Sequence, residues 1–589
     1  MSSNTRLGDL PVETIASILI LCDYRTILRF SATNKGYHRI VCDASNLQLK
    51  IELESHGLEI IKNKTNRLDK STLRELGRRL LVQRSLRHSR HGSWLHVEDM
   101  DSDIEIYHYC ICHDLYVGAY ATVEDPDEPP YDSLLISSLW RNEDEQPLYL
   151  NCGTRFSDFV VDPLQKLVVL VKTPYDSLNF AQFDFRSVED GQPHSLARLP
   201  IISIHLGDPT SDLEDVASFI NTQTQVANNL LVVGCHWPDT DNRLYEIVIF
   251  DWISGVLLGR IYSQTTLTAS FVLLDKDYLA VYSATSGSLS KHPDVIALQV
   301  YHIPTITPSS SDKNGHFKIA SHTSLAPTLI LEFPRVQDSL IIGRESLMSA
   351  DPGVGRVVFD TLITCVCLRV TTLDVRLSLS NPNRYSGIDG LDSQETHFAY
   401  YRIYVSTCHI FELLDQQGPG PVTLNWDQWG TRATRWFNGE YRRSPIVGPL
   451  CIQWKTVGRR YQKLSSVEFN PLSINAYFTP FPSKSHQNEV ASLPNHRQSI
   501  HEYRPLAPST RTVSQEGPSE VEEVRVEMFG TNHKSVFHAG FKEPVESCLP
   551  YRVTTQRDRL DAYRTWLIQG QQLMGRSHTV GPLIVYDIY

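Results

Sequence analysis

The chain lacks any run of apolar residues long enough to cross a bilayer. A membrane helix needs about 18 in succession, and the longest stretch, around 160–171, is broken by Asp162, Gln165 and Lys166. The opening MSSNTRLGDLPVET has no apolar segment leading to a small-residue cleavage site. The 11 cysteines are odd in number and unevenly spaced over 589 residues, which excludes a disulfide framework. These absences lead us to expect a soluble, intracellular protein, cytoplasmic or nuclear. Enzyme signatures are missing as well: no G-x-x-x-x-G-K-S/T phosphate loop, no G-x-G-x-x-G after a strand, no H-E-x-x-H and no G-x-S-x-G. No cofactor is expected, and a non-catalytic role is favoured.

What is present is an average globular composition, 41% hydrophobic and 21% charged, which excludes wholesale disorder. The length implies more than one domain. Charge is unevenly spread. Residues 62–91 hold ten Lys/Arg against Asp69 and Glu75, a balance of +8, and residues 1–61 carry −1. The net charge of −12 therefore leaves −19 on residues 92–589. A body so acidic repels phosphate backbones, so neither nucleic acid nor membrane is an expected partner. The basic segment reads as part of one helix over 65–95, with Leu73, Leu76, Leu80 and Leu81 turned inward and the arginines on its other side.

Residues 7–42 read as three short helices. Pro11 suits a first helical position and Glu13 the positive helix end. Val12, Ile15, Ala16 and Leu19 share one face, while Ile18 and Leu21 fall on a second, which is more apolar surface than so small a core can use. The stretch LGDLPVETIASILILCDYRTILRFSATNKGYHRIV, Leu7 to Val41, resembles the F-box, with its Leu-Pro-x-Glu opening and later Ile/Leu pair. That resemblance implies a three-helix domain over 1–45 that docks on a Skp-type adaptor and through it joins a cullin–RING ubiquitin ligase. It implies contacts from Leu10, Pro11, Glu13, Ile15, Ile18, Leu19 and Leu28. Tyr37 stands where the family usually has Trp or Phe, and Asn34 where Cys is common. The same pattern also fits a three-helix cap packed on the rest of the chain.

After a helical linker at 46–95, the texture from 96 to 589 becomes short β runs with turn punctuation: 157–172, 228–235, 244–255, 275–283 and 294–303. Asp184, Asp251 and Tyr301 mark equivalent points of a weak repeat. Together with a final strand in PLIVYDIY, this predicts a large all-β domain, a β-propeller of seven or eight blades, with a pair of sandwiches as the alternative. Residues 304–327 read as a polar loop, and 482–520, rich in Pro, Ser, Gln and His, as a disordered insertion. WGTRATRWF (429–437) and VESCLPYRVTT (545–555) resemble recurring blocks of fungal F-box proteins; their Trp and Arg residues could form a cation–π layer or line a binding mouth.

One constellation could bind metal. In HYCICHD (108–114) His108, Cys110 and Cys112 share a strand face, but further ligands such as Cys152 or His236 would be needed, so no metal is expected. The whole reads as the substrate-recognition subunit of an F-box ubiquitin ligase, with a protein interaction scaffold or a propeller enzyme as the alternatives. The substrate-binding residues are unknown.

Overall fold

The computed structural model describes residues 10–61, 93–95, 106, 108–112, 115–122, 129–138, 146–173, 180–206, 221–236, 245–263, 266–286, 292–304, 315–343, 346–359, 365–381, 397–416, 418, 420–439, 446–457, 461–470, 525–561, 563, 565–569, 572–576 and 583–587. The proposed helix over 65–95, apart from its last three residues, and the insertion at 482–520 lie outside them.

Four helices come first: α1 (Val12–Leu19), α2 (Tyr24–Thr33), α3 (Lys35–Asp43) and α4 (Ser45–Ser55). Pro11 is the N-cap of α1, one position earlier than expected, and its carbonyl accepts from the amides of Thr14 and Ile15. Asp23 caps α2 by accepting from the Thr26 amide at 3.0 Å. Asn34 caps α3 by accepting from the Tyr37 amide at 2.8 Å, and Tyr37 stacks on Phe30 with ring centroids 4.3 Å apart. Both departures from the F-box pattern thus have local structural roles.

Helix α4 is apolar on two opposite faces. Leu47 and Ile51, four residues apart, join Ile15, Leu19, Ile27 and Val41 in the helices' own core. Leu49 and Leu53, on the other side, pack with Leu58, Val358, Cys365 and Cys367 of a small three-stranded sheet. One helix therefore bridges two cores.

Beyond the helices lies a large domain built mainly of β-sheet. Seven sheets of four or five strands occur among the described residues. The first contains His108–Cys112, Leu115–Tyr120, Tyr131–Ser138 and Leu148–Phe156. The second contains Asp158–Asp162, Leu167–Lys172, Phe180–Ser187 and Ile201–His205, and the third Asn221–Ala227, Leu230–His236, Tyr245–Asp251 and Val256–Ser263. The fourth runs through Thr266–Leu273, Tyr278–Thr285, Val295–His302 and Leu329–Glu332. In each of these four, successive strands pair antiparallel. The fifth and sixth are centred on Thr372–Ser380 with His397–Ser406, and on Tyr461–Glu468 with Tyr551–Asp561. The seventh joins Thr565–Gln569, Gln572–Arg576 and Leu583–Asp587 to Ser93–Leu95, so a strand near the start of the domain pairs with its last one. Asp184, Asp251 and Tyr301 lie on the third strands of the second, third and fourth sheets.

The continuous apolar runs follow from burial on both faces of a sheet. Along Leu230–His236, side chains alternate between two cores. Leu231, Val233 and Cys235 pack toward the second sheet with Leu167, Val169 and Phe183, while Leu230 and Val232 pack toward the fourth with Phe271, Val281 and Leu298. Val168 and Leu170, between the residues that face the third sheet, pack instead with Val117, Leu134 and Ile136 of the first. Each fully buried side chain contributes about 1.5–3 kcal/mol of transfer free energy. The first strands of consecutive sheets also adjoin: His108–Cys112 lies beside Asp158–Asp162, that strand beside Asn221–Ala227, and that in turn beside Thr266–Leu273.

Three expectations need correction. The domain is not purely β: α5 (Thr407–Gln416) and α6 (Trp426–Ala433) interrupt the fifth sheet. Asn425 and Gln428 form a reciprocal capping box that starts α6, a signal visible in the sequence. Residues 304–327 are not simply a loop, because His316–Lys318 adds in parallel to Ile201–His205, with Phe317 and Ile319 buried in the adjoining core. The predicted helix over 65–95 does not extend to its end, since Ser93–Leu95 is a strand held by the Leu583–Asp587 ladder.

Candidate docking surface

Of the seven residues singled out on the helices, Ile15 and Leu19 are 2% and 5% exposed and fill the helices' own core. They are unavailable as surface contacts in this chain. Pro11, Glu13 and Ile18 are exposed, and Leu10 and Leu28 are half-buried against the core. The apolar side chains left in solvent are Val12 at 52%, Ile18 at 44% and Leu21 at 86%. Val12 and Leu21 were not among the expected contacts, although Leu21 had been placed with Ile18 on the surplus face. Isolated exposed apolar residues are ordinary; here Ile18 and Leu21, expected on the second face, are both exposed, and Val12 is exposed as well.

The helices sit on the β domain through contacts that sequence spacing did not indicate. Leu58–Ile60 pairs antiparallel with Cys365–Cys367, a strand paired in turn with Val357–Phe359. Gly57 joins α4 to this strand at φ +68°, and its carbonyl accepts from the Leu368 amide at 2.8 Å. A Cβ on Gly57 would meet the Arg369 carbonyl oxygen. On the other flank, Arg25 forms an ion pair with Glu412 of α5 at 2.9 Å and contacts the Cys408 sulfur, which also lies 3.7 Å from the Tyr24 hydroxyl. Burial opposes the Arg25 charge, yet the Tyr24 hydroxyl and Cys408 raise its pKa overall. His56 Nε2 lies 3.2 Å from Asn470 Nδ2. Strand pairing, an apolar contact and an ion pair therefore fix the helices from several directions.

The segments 429–437 and 545–555 come together. Trp429 and Trp436 are buried, and Trp429 Nε1 donates to the Glu332 carbonyl at 2.9 Å. The buried Arg435 guanidinium lies over the Tyr551 ring, 4.7 Å from its centroid, and donates to the carbonyls of Leu549 and His533. The Cys548 and Leu549 amides donate to the carbonyls of Thr431 and Thr434. The blocks form a packed cation–π layer inside the domain.

Among the described residues no three His, Cys, Asp or Glu side chains gather as metal ligands. Cys152 is on the first sheet, with its thiol pushed up to about 12 by burial, and His236 is on the third, pushed down to about 4 by burial.

No family model matches the chain, and no curated protein matches it significantly. Solved structures with partial likeness include an uncharacterized protein from Listeria monocytogenes, at 7% identity and TM-score 0.28 over 62% of this chain and 79% of that one. An acylaminoacyl peptidase from Pyrococcus horikoshii gives 8% and 0.26, over 62% of this chain and 58% of its own. The β-propeller domain of the Trilobed protease from Pyrococcus furiosus gives 9% and 0.24, over 62% and 92%. Scores this low establish neither kinship nor function.

Proposed function

We propose that this protein is a substrate receptor of a Skp–cullin–F-box type ubiquitin ligase, with its helices docked on the adaptor and its β domain holding a protein substrate. The observation that carries this reading is the apolar surface of Val12, Ile18 and Leu21 on a helical unit whose own core is already filled. The strand-paired and packed seat on the β domain suits a receptor, because holding a substrate lysine near a recruited conjugating enzyme works through effective concentration. In this reading the chain itself contributes no catalytic residue. The β domain is read as a seven-bladed propeller. Support comes from the seven successive sheets, the adjoining first strands and the seventh sheet shared by residues 93–95 and 583–587.

A second reading, an interaction scaffold that joins no ligase, is favoured by one observation: Leu49 and Leu53 pack the helices onto the β domain as a cap. A pull-down with purified Skp-type adaptor separates the two. Under the first reading the intact chain is captured and an Ile18→Asp/Leu21→Asp variant of unchanged melting temperature is not. A folded intact chain that fails to bind the adaptor overturns the ligase reading and leaves the scaffold.

A further inference from the structure

Two thiols and a guanidinium meet on the first sheet, outside the residues of the proposed docking surface. Cys110 and Cys112 are two residues apart on the first strand of the first sheet, with their sulfurs 3.5 Å apart. Arg356, from the segment before Val357–Phe359, donates to the Cys112 sulfur. We propose that Cys110 and Cys112 are an oxidation site, a dithiol converted to a disulfide by a hydroperoxide.

The geometry permits the bond. Alternate residues of a strand are spaced by about 6.6 Å, inside the upper end of the roughly 4.4–6.8 Å that disulfides span. The electrostatics divide the labour between the sulfurs. Cys112 is held down to about 6, first by its hydrogen bond with Cys110 and then by Arg356, against the opposing effects of burial and Asp351. Cys110 is pushed well above the usual thiol range by Cys112 and by burial, with Asp158 adding to the rise. Cys112 is therefore the thiolate and Cys110 the resolving thiol. Cys112 is buried but Cys110 is partly open to solvent, so the pair is reached from the Cys110 side. Two other buried thiols serve as internal controls: burial pushes Cys365 and Cys367 up to about 12.

The chemistry balances in two steps. The Cys112 thiolate attacks one peroxide oxygen, the O–O bond breaks, and the departing hydroxide takes a proton to become water. The resulting sulfenic acid is attacked by the Cys110 sulfur; the S–O bond breaks, and its hydroxyl leaves with the Cys110 proton as a second water. Two thiols have lost two electrons and the peroxide has been reduced. A disulfide at the long end of the permitted span belongs to the labile class that thiols readily reverse. Oxidation would also remove the anion that faces Arg356, one residue before the strand leading into the helices' seat.

The test treats the full-length protein with hydrogen peroxide, blocks remaining thiols with N-ethylmaleimide and maps peptides by mass. We expect the peptide containing Cys110 and Cys112 to become lighter by two hydrogens and to lose both maleimides before those of Cys365 and Cys367, reversibly with dithiothreitol. Cys110→Ser should leave Cys112 as a sulfenic acid that dimedone traps, and Arg356→Gln should slow the oxidation about tenfold. Oxidation of this pair no faster than of Cys365 and Cys367 overturns the proposal. So does a peroxide-treated Cys110→Ser protein without a dimedone adduct on Cys112, a result that does not depend on Arg356→Gln folding.

Discussion

The N-terminal helices and the β domain dispose of their apolar side chains in opposite ways. Along Leu230–His236 the side chains alternate between one neighbouring sheet and the next, so successive apolar residues all find a core. The helices have one small core of Ile15, Leu19, Ile27, Val41, Leu47 and Ile51, and leave Val12, Ile18 and Leu21 in solvent. The β domain also buries charge where the helices do not. Asp374, fully buried on the fifth sheet, accepts from Arg402 Nε and a terminal nitrogen at 2.8 Å each, with Arg376 at 3.2 Å. A stacked-sheet interior can enclose such a pair on all sides; a four-helix unit of about 45 residues cannot. The β domain has exposed apolar side chains too, Leu196 and Phe398 among them, but the small helical unit leaves Val12, Ile18 and Leu21 in solvent on one helix and the turn after it.

The largest effect should come from breaking the enclosed charge. Asp374→Ala would strand Arg402, whose guanidinium is nearly as buried, without its carboxylate. We expect a loss of about 3–5 kcal/mol, read as a fall in the denaturation midpoint of the intact chain. Asp374→Asn should cost less, because it keeps an acceptor for one of the two bonds. Equal losses for both variants would mean that packing rather than charge pairing sets the cost.

Next is the helix that belongs to both regions. Leu47→Ala and Leu49→Ala each remove the same side chain from α4, one from the helices' core and one from the seat. Each should cost about 2–5 kcal/mol with different consequences under limited proteolysis. Leu47→Ala should expose α1–α3 to cleavage within the unit, whereas Leu49→Ala should first release the unit whole near residues 55–61. Identical cleavage patterns would show that the two cores unfold as one.

Helix α4 also shows what the sequence made legible. The strands buried on both faces were readable from their continuous apolar runs, as at Leu230–Cys235 and Ile247–Phe250. Helices α1–α3 were readable because each has apolar residues at helical spacing and a helix-starting residue before it, Pro11, Asp23 or Asn34. In α4, Leu47, Leu49, Ile51 and Leu53 alternate, a pattern without a single helical face, because opposite faces meet different partners. The seat could not be seen for another reason: Leu58–Ile60 pairs with a strand some 300 residues away, and nothing local in either segment encodes that register. Ile18 could be placed on a surplus face by spacing alone. The burial of Ile15 and Leu19 could not, since the core they fill is completed by Ile27, Val41, Leu47 and Ile51 from three other helices.

A pH series sharpens the comparison further. Burial alone holds His236 of the third sheet down to about 4, from an ordinary 6.5. The unfolded chain then binds a proton between these values that the folded chain refuses, so stability rises with pH through that window. The contribution is complete above about pH 6.5 and is lost as pH falls toward 4. His236→Gln should flatten the wild-type slope between those limits, and an unchanged slope would show that His236 is protonated in the folded state. Asp351, pushed up to about 6 by burial, acts with the opposite sign and is common to both proteins, so it cancels from the difference.

The smallest expected change in stability is the one that tests these exposed side chains. Ile18 and Leu21 are exposed, and surface substitutions of this kind usually fall within about ±0.5 kcal/mol. Ile18→Asp/Leu21→Asp should therefore leave the denaturation midpoint nearly unchanged. A loss of several kcal/mol would mean that these side chains are covered by another part of the same chain, and the surface would then be an internal contact. A near-zero effect carries the stronger consequence: two apolar residues that contribute nothing to the fold are free to contribute to an association, where burying each can yield about 1.5–3 kcal/mol before the costs of binding are subtracted. The same double variant thus separates stability from docking, because only a partner's surface would register the new charges.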